Sequence, residues 1–137
     1  MVKELIHDPI RLAMKSAPAT KDDLPAAKDL ADTLAAHRER CVGMAANMIG
    51  VQRRIIVVAV GDGCETMFNP EILKKAEPYR TREGCLSLLG EPREVTRYNK
   101  IKVRWQTADF SVRIKSFSGF PAEIIQHEID HCDGILI

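Results

Sequence analysis

The sequence contains no long apolar run and no excess of charge of either sign. Its longest unbroken apolar stretch, Ile55–Val60, has six residues, whereas a membrane-spanning helix needs about 20. Twenty basic and nineteen acidic residues leave a formal net charge of +1, which gives no reason to expect a surface for nucleic acid or for an anionic membrane. The N-terminus lacks the apolar core of a signal peptide. We therefore expect a cytoplasmic protein with neither a membrane segment nor a nucleic-acid patch.

Internal repeats, low-complexity segments and linker-like stretches are also missing. A chain of 137 residues, 45% of them hydrophobic, can bury most of its apolar surface without disulfide support. We therefore expect one domain that spans residues 1–137. In a reducing compartment the four cysteines are expected to be free thiols or metal ligands; they are Cys41, Cys64, Cys85 and Cys132.

Apolar spacing predicts a helix near each end of the chain and strands between them. A first helix is expected over residues 22–38, where Asp22 or Asp23 can cap it and Pro25 suits its first turn. The predicted strands have apolar or alternating patterns and cover residues 54–60, 66–68, 101–106 and 112–115. The last two should form a hairpin with one wet face. This order predicts an α+β fold, a mainly antiparallel sheet with an N-terminal helix and a C-terminal helix packed on it.

The last helix contains the most informative motif, His127-Glu128-Ile129-Asp130-His131. Side chains four residues apart share one helix face, so His127 and His131 can bind one metal ion while Glu128 handles a proton. Glu128 falls within the apolar arc of the helix, where an unpaired carboxylate is costly. A metal-bound water would explain it. The alternative, a solvated helix whose histidines make ordinary hydrogen bonds, leaves Glu128 unexplained.

Helical spacing also assigns the other side chains of this helix to two faces. The apolar arc contains Phe120, Ile124, Ile125, Ile129 and Cys132. The opposite face, which we expect to be wet, contains Glu123, Gln126, Asp130 and Asp133. The apolar arc should therefore pack on the sheet, with the two histidines at its edge.

The metal site needs a third protein ligand, because catalytic zinc-type sites use three and leave a position for water. The sequence ends six residues after His131 and offers only Asp133 downstream, which faces the wrong way on the helix. Upstream, the thiol of Cys85 follows a glycine that allows close approach of the backbone. The third ligand is therefore expected upstream of the helix.

Two segments of the chain resemble marks of the peptide deformylase family. Residues 83–87 read Glu-Gly-Cys-Leu-Ser and residues 126–131 read Gln-His-Glu-Ile-Asp-His. Residues 41–48, Cys-Val-Gly-Met-Ala-Ala-Asn-Met, are similar to the third mark of the family, G-x-G-x-A-A-x-Q. The resemblance extends over nearly all of the chain.

This resemblance implies that Cys85, His127 and His131 hold one divalent metal ion, iron(II) in the cell, which zinc, nickel or cobalt can replace. Glu128 would act as general base and acid, and the backbone N–H of Leu86 would stabilise the oxyanion. The residues expected to bind substrate are Val42, Gly43, Glu83, Phe120 and Ile124, with the last two beside the methionine side chain. The implied reaction removes the N-formyl group from the N-terminal formyl-methionine of new polypeptides and releases formate. Formyl-methionyl peptides and, transiently, the ribosome are the implied partners.

Several positions depart from the family pattern. The family glutamine, whose amide donates to the oxyanion, is Met48 here, and a thioether cannot donate. Loss of one such donor typically costs about 100-fold to 1,000-fold in turnover. Asn47 carries an amide one position earlier and could take over this role from another direction. Cys41 replaces the first glycine of its mark, and Pro92 stands where the family has an arginine.

Four hypotheses about function remain open at this point. The set of metal ligands with Glu128 favours an active deformylase. Met48 and Pro92 favour a paralogue with weak or altered activity toward another N-acyl group. A non-catalytic module that binds metal or peptides is the third hypothesis, and a zinc endopeptidase, which the upstream third ligand disfavours, is the fourth.

Overall fold

The computed structural model describes residues 1–85, 87 and 91–137. Its helices are α1 (Pro9–Leu12), α2 (Leu24–Ala36) and α3 (Gly119–Cys132), and short 3-10 turns cover Lys21–Asp23 and Ala46–Ile49. Its strands are β1 (Gly43–Ala45), β2 (Ile55–Val60), β3 (Gly63–Glu83), β4 (Arg93–Gln106) and β5 (Val112–Ser118). None of the helices in the described part of the chain is long and apolar enough to cross a membrane.

The five strands form one sheet in the order β1-β2-β3-β4-β5, and every neighbouring pair is antiparallel. The chain therefore runs through the sheet as a meander, with α2 before its central strands and α3 after its last strand. The predicted fold class, a single α+β domain with an antiparallel sheet and a helix near each end, is confirmed.

Strand β3 is much longer than the short strand predicted over residues 66–68. It continues to Glu83 and pairs with β4 through two register shifts, one before Glu71 and one after Ile72. Asn69 and Glu77 take positive φ angles of 52° and 63°. These irregularities interrupt the alternation of apolar and polar side chains, which is the signal that sequence prediction uses. Pairing with β4, not local pattern, extends the strand.

The predicted hairpin of β4 and β5 is present, but its apolar residues are distributed differently. Trp105 of β4 is buried, whereas Val112 and Ile114 of β5 are 49% and 54% exposed. The register pairs Gln106 with Val112 and Arg104 with Ile114. Facing residues of a strand pair lie on the same side of the sheet. The two apolar residues of β5 therefore share the wet side of β4, which corrects the expectation.

Two hydrophobic clusters lie on opposite sides of the sheet. Under α3, one cluster contains Ile56, Met67, Ile101, Val103, Trp105, Ile125 and Ile129. Under α2, the other contains Leu30, Leu34, Met44, Met48, Ile55, Val57 and Phe68. Successive residues of β2 thus enter different clusters, as the two-residue period of a strand requires. This arrangement holds α3 firmly across the sheet and beside the C-terminal end of β3.

Candidate metal centre and catalytic cavity

Three side chains with metal-binding atoms converge where β3 ends and α3 crosses the sheet. Cys85 lies two residues after β3, and His127 and His131 are one turn apart on α3. Their ligand atoms all lie within 4.8 Å of one another, and the two Nε2 atoms are 3.0 Å apart. Both imidazoles are buried, with 8% and 0% of their surface exposed. The structure thus brings the three predicted ligands together.

The ring of His127 is oriented by a neighbouring carboxylate. Its Nδ1 lies 2.7 Å from Oε1 of Glu83, and the carboxylate can only accept, so this nitrogen carries the hydrogen. Nε2 is then left to bind a metal. Burial alone would lower the pKa of His127, but hydrogen bonds to Cys85 and Glu83 raise it to about 10 in the metal-free protein. A metal must therefore displace a proton from this ring.

Arg97 of β4 completes this arrangement, although no motif in the sequence pointed to it. Only 4% of Arg97 is exposed. Its guanidinium donates to both oxygens of Glu83 at 2.7–3.1 Å and to Oδ2 of Asp130 at 2.6 Å. It therefore links the end of β3 to the turn of α3 that lies between the two histidines. One signal was available: Arg97 is four residues before the buried Ile101, so its side chain lies on the same side of β4.

Glu83 therefore forms hydrogen bonds with both Arg97 and His127 in the absence of substrate. Burial alone would raise the pKa of Glu83, but the hydrogen bonds from His127 and Arg97 lower it to about 2. The carboxylate is ionised at neutral pH and orients the His127 ring. Its predicted contact with substrate stays a prediction.

Glu128 lies inside the protein, with only 4% of its surface exposed. Its Oε1 is buried and has no hydrogen-bond partner among the residues that the structure describes. Burial raises its pKa to about 7. A Cβ atom added to Gly43 would lie 3.0 Å from Oε2 of Glu128 and 2.8 Å from Ile124. The glycine therefore lets β1 approach the carboxylate closely.

His131 is fully buried, and its environment keeps it in the form that binds metals. Burial and the neighbouring His127 lower its pKa to about 3 in the metal-free protein. The side-chain amide of Asn47 donates to the backbone carbonyl of His131 at 2.8 Å. This hydrogen bond connects the 3-10 turn Ala46–Ile49 to α3. It does not support the expectation that the Asn47 amide replaces the missing glutamine as a donor to the oxyanion.

Met48 lies in the cluster under α2 and is 1% exposed. Its sulfur accepts a hydrogen bond from the backbone N–H of Ala45 at 3.4 Å. A glutamine here could accept that bond and still donate, whereas the thioether can only accept. The position therefore provides no side-chain donor to an oxyanion.

A cavity of about 660 Å³ opens beside the metal ligands. Its walls include the residues predicted to bind substrate, namely Val42, Gly43, Glu83, Phe120 and Ile124. Phe120 is 60% exposed and therefore lies at the mouth, whereas Ile124 is 8% exposed. Leu86, the predicted backbone donor, lies outside the described residues.

Most side chains on the side of α3 that was expected to face solvent make contacts within the protein. Gln126 is buried and bonds both backbone groups of Tyr98, which β5 does not reach. Glu123 lines the cavity, and Asp130 is bound by Arg97. The expectation of a solvated face is wrong for Gln126, because the sheet edge next to α3 requires hydrogen-bond partners.

Cys41 also lines the cavity but does not belong to the ligand group. Its thiol donates to the carbonyl of Gly43 at 2.9 Å, and burial raises its pKa to about 11. It is therefore a neutral thiol next to the site. All four cysteines are free, as expected.

The donor set fits a divalent metal. One sulfur and two imidazole nitrogens suit zinc, iron, cobalt and nickel, and the two Nε2 atoms face each other at 3.0 Å, close to the roughly 3.3 Å separation of two nitrogens bound tetrahedrally to one ion. With a buried carboxylate and a cavity beside them, the fold and the site define a metal-dependent hydrolase.

Comparison with known proteins specifies which hydrolase family this is. The family model for polypeptide deformylase matches residues 4–137. A peptide deformylase from Clostridium beijerinckii is 50% identical over 137 residues, which is 100% of both chains. One from Caldanaerobacter subterraneus subsp. tengcongensis is 36% identical and covers 96% of this chain and 82% of its own. The chain belongs to the peptide deformylase family.

Solved structures show the same fold. A crystal structure of peptide deformylase from Thermotoga maritima matches with a TM-score of 0.88 and 30% identity, over 99% of this chain and 95% of that one. The class I type b enzyme from Acinetobacter baumannii, crystallised with Met-Ala-Ser, matches with a TM-score of 0.87 and 29% identity, over 99% and 96% of the two chains. The five-stranded sheet with its two packed helices is therefore the fold of this family.

Proposed function

We propose that Cys85, His127 and His131 hold the divalent metal ion with which this chain removes the N-formyl group from the N-terminal formyl-methionine of nascent polypeptides, releasing formate. The activity follows from the family and from 50% identity over the full length of a peptide deformylase. The observation that carries the ligand assignment is the convergence of one thiol and two imidazoles within 4.8 Å.

We propose iron(II) as the metal in the cell, and zinc, nickel and cobalt suit the same donors. The bound metal supplies Lewis acidity and lowers the pKa of a coordinated water. The chain supplies a thiolate, which adds electron density to the ion, and two imidazoles. Glu83 fixes the orientation of His127, and such partners of metal-bound histidines typically change metal affinity or activity about 10-fold to 100-fold.

Glu128 is the residue to which we assign the proton transfers. Its carboxylate takes a proton from the attacking water and delivers it to the amine nitrogen as the bond between that nitrogen and the formyl carbon breaks. In the metal-free protein burial raises the pKa of this carboxylate to about 7, and a group that titrates near the working pH can both accept and return a proton. Burial also protects this exchange from bulk water.

The substrate peptide is proposed to bind along β1. This strand is an edge of the sheet, and an extended peptide can pair with such an edge. Val42 and Gly43 would bind the peptide backbone, and Phe120 and Ile124 would contact the methionine side chain. The backbone N–H of Leu86 is proposed to stabilise the oxyanion.

Formate release from formyl-Met-Ala-Ser tests the function directly. The protein is loaded anaerobically with iron(II), and its metal content is measured on the same sample. Because general acid and base catalysis contributes about 100-fold to 10,000-fold, Glu128→Ala should reduce the rate by that factor while it retains the metal. Formate release by wild type that does not exceed that of Glu128→Ala would refute the proposal.

Met48 favours a second candidate, a deformylase relative with weak or altered N-acyl amidase activity. If the missing donor limits the formyl reaction, Met48→Gln should raise kcat for formyl-Met-Ala-Ser about tenfold or more and leave KM nearly unchanged. Met48→Leu, which also lacks a donor, is the matched control. An unchanged kcat in Met48→Gln, together with faster hydrolysis of acetyl-Met-Ala-Ser than of the formyl peptide, would favour the altered amidase.

We also propose that the reaction takes place in the cytoplasm and that the chain contacts the ribosome transiently. Nascent polypeptides emerge from the ribosome there, so a contact would raise the local concentration of the substrate.

A further inference from the structure

The net charge of +1 conceals a strong separation of charge. Residues 71–77, 100–106 and 112–118, which are neighbours in β3, β4 and β5, contain seven basic and two acidic residues. The remainder of the chain contains thirteen basic and seventeen acidic residues. The basic residues of these segments are Lys74, Lys75, Lys100, Lys102, Arg104, Arg113 and Lys115. One end of the sheet is therefore cationic and the rest of the molecule anionic.

Four of these cations share one side of the sheet, which we call the basic face: Lys74, Lys100, Lys102 and Arg104. Lys100, Lys102 and Arg104 are two residues apart along β4, so they point to the same side. The register places Lys74 directly opposite Lys102 and places Lys102 opposite Ser116. Like charges directly opposite each other destabilise a sheet. Fold stability therefore does not explain the pair of lysines.

The basic face is open, and its two carboxylates lie on either side of the Lys74–Lys102 pair: Glu71 faces Arg104 in the register, and Glu77 contacts Lys100. Helix α2 packs on this side of the sheet over β1, β2 and the start of β3. Farther along, a shallow cavity of about 570 Å³ is lined by no acidic residue. Its polar lining consists of three lysines of the basic face, the neighbouring Lys75 and two serines: Lys74, Lys100, Lys102, Lys75, Ser116 and Ser118. Lys100 pairs with Glu77 at 2.9 Å. Among the described residues, neither Lys74 nor Lys102 has a carboxylate within ion-pair distance.

We propose that the basic face binds the phosphate backbone of RNA. Lysine and arginine contacts to phosphates supply most of the sequence-independent affinity for nucleic acids, and hydroxyl groups add hydrogen bonds to phosphate oxygens. The choice of RNA among polyanions rests on the proposed function, because the ribosome that delivers nascent polypeptides presents RNA at its surface. The net charge of +1 predicted no nucleic-acid patch, because it averages over a basic region and an acidic one.

Fluorescence anisotropy with a fluorescein-labelled, mixed-sequence single-stranded RNA tests this proposal. Binding is measured between about 50 and 200 mM salt, since each phosphate contact to a single strand contributes about 0.7 to the slope of log K against log salt. Lys74→Gln/Lys102→Gln should make that slope less steep by about 1.4, because two phosphate contacts are lost. It should also weaken binding at low salt on the order of tenfold or more. Lys74→Arg/Lys102→Arg, which keeps the charges, should bind as wild type does.

Lys15→Gln/Lys21→Gln is the matched control, because it removes the same charge from exposed positions outside the sheet. It should leave RNA binding nearly unchanged. An equal loss of affinity in this control, no binding of RNA by wild type at low salt, or binding to phosphatidylserine vesicles without binding to RNA would each overturn the proposal. Formate release from formyl-Met-Ala-Ser is measured on every variant and should not change, so a failure of RNA binding is distinguishable from a failure of deformylase activity.

Discussion

The metal site and the basic face differ in whether their charged side chains have partners of opposite charge. At the metal site, Arg97 forms ion pairs with Glu83 and Asp130 at 2.6–2.7 Å, and the side chain of Arg97 is only 5% exposed. At the basic face, Lys74 and Lys102 stand directly opposite each other without a carboxylate partner among the described residues. Water screens the second arrangement but not the first. Charge at the metal site is therefore part of the fold, whereas charge at the basic face is available for a ligand.

The largest expected effect comes from removing the buried guanidinium. Arg97→Met should lower the free energy of unfolding by about 3 to 5 kcal/mol, because it leaves the buried carboxylate of Glu83 and the partly buried one of Asp130 without their cation. The exposed pair of Arg80 and Glu94, 3.0 Å apart, provides the matched control. Arg80→Met should cost no more than about 1 kcal/mol. Urea denaturation of both variants measures the difference.

The same substitution should also affect metal binding, since Arg97 orients Glu83 and Glu83 orients His127. We expect metal affinity to fall about 10-fold to 100-fold in Arg97→Met, and to remain unchanged in Arg80→Met. Equal effects of the two variants on stability and on metal affinity would show that burial does not distinguish the two ion pairs.

The next effect concerns the buried carboxylate of the metal site. Burial raises the pKa of Glu128 from 4.5 to about 7, so the folded metal-free protein holds this proton more tightly than the unfolded chain. The stabilising contribution is present below about pH 4.5 and is lost as the pH rises through about 7. Relative to Glu128→Gln, the unfolding free energy of wild type should therefore decline by on the order of 2 to 3 kcal/mol across this range.

This prediction is measured by urea denaturation of both chelator-treated proteins at several pH values. The Gln variant is the internal reference, because the titrations of His127 and His131 occur in both proteins. Parallel curves for the two proteins would mean that Glu128 has an ordinary pKa despite its burial.

The sequence predicted the parts of the site that depend on local spacing. His127 and His131 share a helix face because they are four residues apart, and the short segment around Cys85 was identified by its resemblance to a family. Arg97 was missed because its partners lie 14 and 33 residues away. The pairing of β3 with β4 brings Glu83 to it, and the packing of α3 on the sheet brings Asp130. The length of β3 was missed for the same reason.

The assignment of faces shows the same limit. Helical spacing placed Glu128 in the apolar arc, where the structure buries it. It also placed Gln126 on a wet face, although its amide bonds the backbone of Tyr98. Which polar side chain is buried depends on where β5 ends and leaves backbone groups without a strand neighbour. That end is a property of the sheet and not of the helix sequence.

The smallest expected effect on stability comes from removing one lysine of the basic face. Lys102→Thr removes one of two like charges that face each other across β3 and β4 and introduces a residue that favours strands. We expect the free energy of unfolding to rise by about 0.2 to 1 kcal/mol. The gain should shrink at high salt, because exposed charges separated by more than a few ångströms are screened. Lys21→Thr, in a turn outside the sheet, is the control and should show no such salt-dependent gain. A loss of stability in Lys102→Thr would mean that the lysine stabilises the sheet, and the charge pair would then need no ligand to explain it.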